Sequence, residues 1–161
     1  MRRSLLLFVA LAILGIQATL TPDVSAELFG EYAGYKSCIE CHPEIVEGWL
    51  KTPHAHAFQT LAKQGDEKLK NPGCVKCHVV AMDADGGFID MELTPELKDV
   101  QCESCHGPGL KHNKSQDPKD IIGKPKEDCC RICHTPEQDK NFDFKMKASK
   151  VHGDYKPKDK K

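Results

Sequence analysis

The chain has 161 residues, 23 basic and 24 acidic, and a formal charge of −1. Charge so nearly balanced argues against nucleic acid as a partner. Nine cysteines beside one tryptophan and six phenylalanines argue against an interior built from side chains alone.

The first 26 residues read as a secretory signal peptide. Arg2 and Arg3 precede an apolar run from Leu5 to Ile16, and the segment ends in Val24-Ser25-Ala26. The run falls short of the roughly twenty residues that cross a bilayer. Cleavage after Ala26 would leave 135 residues with no membrane span and a charge near −2. Export to the periplasm is the expectation, with the extracellular space as the alternative.

After the leader, "CIECH" (38–42) runs into "CHPEIVEGWL". Pro43 stands just inside a helix start, with Ile45, Val46, Trp49 and Leu50 along one side. From about Ala55 to Leu69, Phe58, Leu61, Ala62 and Leu69 recur at near-helical spacing, with Gly65 as the weak point. "CVKCH" (74–78) comes next. "MDADGGFIDMEL" has turn residues followed by strand-like ones, which fits a short hairpin. Asp83 and Asp85 lack the partners of a calcium loop and read as a turn. "TPELKDVQ" offers Thr94 as N-cap and Pro95 as first helical residue. "CESCH" (102–106) leads into the loop-rich "GPGLKHNKSQDPKD". "KEDCCRICH" reads as a helical turn. After Asn141 the chain becomes rich in lysine. Three segments result: residues 1–26 removed, a domain over 27–144, and a basic tail over 145–161 that could supply one more ligand.

Cys-x-x-Cys-His occurs four times, its starts 36, 28 and 28 residues apart. It is the attachment motif of c-type haem. Two thiols add across the porphyrin vinyl groups, the two intervening residues set their separation, and the adjacent histidine ligates the iron. The pairs are Cys38/Cys41, Cys74/Cys77, Cys102/Cys105 and Cys130/Cys133, with His42, His78, His106 and His134 as proximal ligands. Zinc would not require a histidine after each pair, and a thioredoxin-type motif would be single, near a βαβ pattern. Cys129 is the odd cysteine: a small buried residue, or a thiol for an intermolecular disulfide or other reactivity.

Four histidines remain as candidate distal ligands: His54, His56, His112 and His152. His112 follows His106 across a tight Gly-Pro-Gly turn and should cross to a neighbouring haem. His54 and His56, two residues apart, point to different sides, so one of them is expected to ligate. His152 stands alone on the tail. Met82, Met91 and Met146 are alternatives that read better as ordinary side chains. Three distal histidines would leave one iron open; four would close all.

The stretches "YKSCIECHPEIVEGWLKTPHAHAF", "CVKCH", "VQCESCHGPGLKH" and "CRICHTPE" resemble the tetrahaem cytochrome c-554 family. The resemblance implies a mainly α fold with little or no sheet, in which short helices and long loops wrap four covalently bound haems in stacked pairs. It implies His54 and His112 as distal ligands, with three bis-histidine haems and one five-coordinate haem. It implies electron transfer in the periplasm. An iron-porphyrin electron carrier that works with other redox proteins is expected ahead of an enzyme, and so is a monomer. The alternatives are a nitric oxide or nitrite reductase at one open haem, and a subunit of an extracellular cytochrome filament.

Overall fold

The computed structural model describes residues 31–157, so the leader reading lies outside the described residues. Among them there are short helices and loops and no strand, only an isolated antiparallel bridge between Val79 and Lys98. The mainly α expectation holds, with no helix longer than eight residues.

Proline sets where α1 begins: Pro43 opens the helix Pro43–Leu50, where its missing N–H costs no bond. The helix buries Val46, Gly48 and Trp49. Trp49 packs on Tyr35 with ring centroids 4.8 Å apart and donates from Nε1 to the Val100 carbonyl at 3.0 Å. The single long helix expected from Ala55 to Leu69 is instead a 3-10 turn (Pro53–His56), α2 (Ala57–Ala62) and α3 (Asp66–Leu69). Gly65, at φ +105°, is the break. α4 (Pro72–Val75) starts at Asn71, whose side chain accepts from Gly73 N at 2.9 Å.

The hairpin expected around residues 82–93 is absent. Asp90 Oδ1 accepts from Glu92 N and Leu93 N at 2.8 and 2.7 Å, which turns the chain before a second strand could pair. Thr94 does precede the 3-10 turn Pro95–Leu97. Its buried hydroxyl accepts from Ile89 N at 2.7 Å instead of capping that turn. α5 (Cys102–His106) begins with a reciprocal capping box between Gln101 and Ser104. The loop expected after it contains α6 (Leu110–Ser115). α7 (Glu127–Arg131) is the expected turn at the fourth motif, and α8 (Phe144–Ala148) lies in the lysine-rich region.

Ten hydrophobic residues are buried among the described residues, nine of them in two small clusters. One gathers Leu61, Val75, Val79, Val80, Phe88 and Leu97; the other gathers Val46, Trp49 and Ala55. These are few to order so many residues without another hydrophobic body at the centre. Ile132, inside the fourth motif, is 72% exposed and lines a large cavity.

Candidate haem-binding site

Each Cys-x-x-Cys-His is wound into a helical turn, so both thiols and the imidazole leave one short stretch of backbone. His42 N donates to Cys38 O at 2.8 Å and His134 N to Cys130 O at 2.9 Å. His78 N donates to Val75 O at 2.7 Å, and the third motif is α5 itself.

The sulfurs link the four turns in an order different from the sequence. Cys38 lies beside Cys102, bringing the first motif to the third. Cys105 lies beside Cys129, whose Sγ is 3.8 Å from Cys130 Sγ, bringing the third to the fourth. Cys133 lies beside Cys77, bringing the fourth to the second. The spatial order is therefore first, third, fourth, second. As free thiols these groups differ. The neighbouring Cys102 thiol holds Cys38 at about 7, while Cys102 rises far above the thiol range. Burial, followed by neighbouring thiols, pushes Cys105 and Cys133 to about 12 and Cys130 to about 11.

The histidines form three facing pairs. His42 and His112 have ring centroids 6.4 Å apart with planes at 15°. His106 and His152 are 6.2 Å apart at 18°. His134 and His54 are 6.2 Å apart at 52°. Four rings spend Nδ1 on an acceptor. His78 donates to Ala57 O at 2.6 Å, His106 to Ile122 O at 2.6 Å and His112 to Asp117 O at 2.9 Å. His134 Nδ1 lies 3.0 Å from Asp139 Oδ2. Each keeps Nε2 for another partner, the arrangement typical of metal-binding histidine. Burial, then the facing ring, lowers the pKa of His54 and His152. This favours the neutral imidazole that a metal requires.

Two histidines stand outside the pairs. His78 has no facing ring among the described residues. His56 donates from Nε2 to Leu50 O at 3.1 Å and is exposed, so the nitrogen a metal would take is already engaged. Of the distal candidates, His54, His112 and His152 are brought opposite a motif histidine and His56 is not.

Haem fits this arrangement. An imidazole nitrogen sits about 2.0–2.1 Å from a bound first-row metal. With about 1.1 Å more from nitrogen to ring centre, two rings on one iron would have centroids roughly 6.3 Å apart, as these pairs do. A cavity of about 960 Å³ takes in Cys74, Cys77 and His78 together with Cys130, Cys133 and His134. A second, of about 180 Å³, takes in Cys102, Cys105, His106 and His152.

Residues 37–107 match the family model described as "Cytochrome c554 and c-prime". Cytochrome c-554 of Nitrosomonas europaea is 31% identical over 156 residues, covering 85% of this chain. The chain belongs to the cytochrome c554 family. The match covers 64% of that relative's length. The structure of reduced-state cytochrome c554 from Nitrosomonas europaea is similar to this fold at a TM-score of 0.54 and 28% identity. It covers 76% of this chain and 83% of that one. Membership carries covalently bound c-type haem with it, and no helix among the described residues is long and apolar enough to cross a membrane.

Sequence reasoning missed the groups that orient the imidazoles. Asp139 also pairs with Lys147 at 3.2 Å, and its place five residues after His134 was the available signal. The carbonyls of Ala57, Asp117 and Ile122 carry no sequence signature, because every residue has one.

Proposed function

We propose that this chain holds four c-type haems and carries electrons between other redox proteins after export to the periplasm. The thioether cysteines are Cys38, Cys41, Cys74, Cys77, Cys102, Cys105, Cys130 and Cys133, and the proximal ligands are His42, His78, His106 and His134. The distal ligands are His112 opposite His42, His54 opposite His134, and His152 opposite His106. The observation that carries this reading is the set of three imidazole pairs at 6.2–6.4 Å.

Bound haem supplies a one-electron iron couple in which two imidazole ligands keep the geometry nearly constant between redox states. The chain supplies the rest. Nδ1 bonds fix the tautomer and orientation of His78, His106, His112 and His134. Contacts between cysteines of successive motifs hold the four sites edge to edge. No side chain is needed as acid, base or nucleophile, so the carrier reading stands ahead of an enzymatic one.

Among the described residues His78 has no facing ring, and this favours a second reading of that site alone: an iron open to a small ligand such as nitric oxide. The filament reading needed a tail histidine free to reach another chain, and His152 faces His106 of its own chain.

The test is intact-mass analysis and low-temperature electron paramagnetic resonance of protein matured in a host that attaches haem c. The expected result is four added haems, three low-spin irons and one high-spin iron. Cys129→Ser should keep all four attachments at both thioethers, and Cys130→Ser should lose one thioether. A mass equal to the polypeptide, or four low-spin irons, would overturn the assignment.

A further inference from the structure

Glu103 occupies a variable position of the third motif, where the attachment chemistry requires nothing of it. Its side chain is nonetheless buried, at 4% exposure. Oε1 accepts from Ala33 N at 2.9 Å and Gly109 N at 2.7 Å, and Oε2 accepts from Gly34 N at 2.8 Å. Gly109 has to be small, since a Cβ there would stand 3.0 Å from Oε1. Both carboxyl oxygens are thus engaged only as acceptors of backbone N–H groups. No cation pairs with it among the described residues. It adjoins Cys102 of the third motif, and its bonds to Ala33 and Gly34 hold it against the segment that leads into Cys38 of the first.

The other motifs are differently furnished. Asp139, beside His134, is matched by Lys147, and Glu127 beside the fourth motif is matched by Arg131 at 2.7 Å. Asp99, in the electrostatic neighbourhood of His78, has one backbone donor, Phe58 N at 2.9 Å, and burial pushes its carboxyl up toward the neutral form.

We propose that Glu103 is a fixed, uncompensated negative charge that lowers the reduction potentials of the first and third haem sites. The inference rests on the haem assignment above. A ferric site carries one more positive charge than a ferrous one, so a buried carboxylate beside it favours the oxidised form. Glu103 acts through the field at two sites and is a positioning residue, not a ligand.

The experiment is a potentiometric titration of the loaded protein followed by optical and paramagnetic resonance spectra. The first and third signals are identified by their loss in His112→Ala and His152→Ala. Glu103→Gln should raise both midpoints, and Glu103→Asp should restore them toward wild type. The more affected site should change about tenfold in its oxidised-to-reduced ratio at fixed potential, or about 59 mV for one electron. If Glu103→Gln fails to load four haems, Tyr32→Arg serves instead, because Tyr32 directly precedes Ala33, whose N–H bonds the carboxylate, and the variant keeps all three of its bonds. That variant should raise the same two midpoints. Unchanged midpoints, or a rise confined to the second and fourth sites, would overturn the proposal. The mass of the loaded protein tests the haem assignment separately.

Discussion

Gly48 offers a way to remove the ligand proposed for the third site without touching a histidine. It lies in α1, and the chain returns across it at residues 152–155. A Cβ built at Gly48 would run into the His152 carbonyl oxygen, and would stand 3.2 Å from its carbonyl carbon and 3.3 Å from Tyr155 Cβ. Gly153, at φ +61°, makes the reciprocal approach to the Gly48 backbone. In Gly48→Ala the His152 backbone has to withdraw by about 1 Å to reach ordinary van der Waals separation. Ligation tolerates departures of only about 0.2 Å, so His152 should leave the iron opposite His106. The helix cannot be the cause of the loss, because alanine favours a helix interior over glycine by about 1 kcal/mol. Overpacking should cost about 1–3 kcal/mol of stability in all. Paramagnetic resonance of the oxidised protein should show two high-spin irons where the wild type shows one. His152→Ala should give the same count, and the double variant no more. If Gly48→Ala keeps three low-spin irons, the tail does not hold the ligand as argued.

Two further substitutions probe the remaining histidines. His56→Ala should leave the count of low-spin irons unchanged, since Nε2 of His56 is bonded to Leu50 O; a new high-spin signal would make it a ligand after all. Asp139→Asn removes the carboxylate that His134 and Lys147 share. Loss of a carboxylate that orients a ligating histidine costs about 10- to 100-fold in metal affinity or activity. The fourth site should therefore rise in midpoint potential and lose its distal ligand more readily to added cyanide, both read optically.

The sequence announced its chemistry more clearly than its shape. Four Cys-x-x-Cys-His turns could be read because thioether attachment demands fixed residues at fixed spacing. α1 was legible from Pro43 and the apolar side behind it, and the break at Gly65 was legible as a weak point. The hairpin was misread because Phe88, Ile89, Met91 and Leu93 look strand-like, yet Asp90 turns the chain through two of its own following amides. α6 was read as loop because Gly107, Pro108 and Gly109 dominate its start, and a six-residue helix has no periodicity to detect. The pairing of His106 with His152 joins residues 46 positions apart in the chain, and no local pattern encodes such a distance. The expectation that His112 crosses to another motif agrees with its position opposite His42, because a tight turn cannot carry a ligand around a flat ring.

The order of the sites gives the unpaired histidine its meaning. Thiol contacts run from the first motif through the third and fourth to the second, so His78 belongs to an end of the row. Under the assignment proposed here, the three closed sites form an uninterrupted series that ends at the open one. A ligand bound beside His78 would then alter the last member and leave exchange among the other three intact. Were the unpaired histidine in the third or fourth motif, every ligand-binding event would interrupt the row. Glu103, whose carboxyl group is proposed above to lower the potentials there, lies at the opposite end, next to Cys102 and against the segment leading into Cys38. A charge placed there biases electrons away from the first and third sites and toward the fourth and second. If both proposals hold, the order of the sulfurs and the placement of one buried charge point the same way along the row, toward the site of His78.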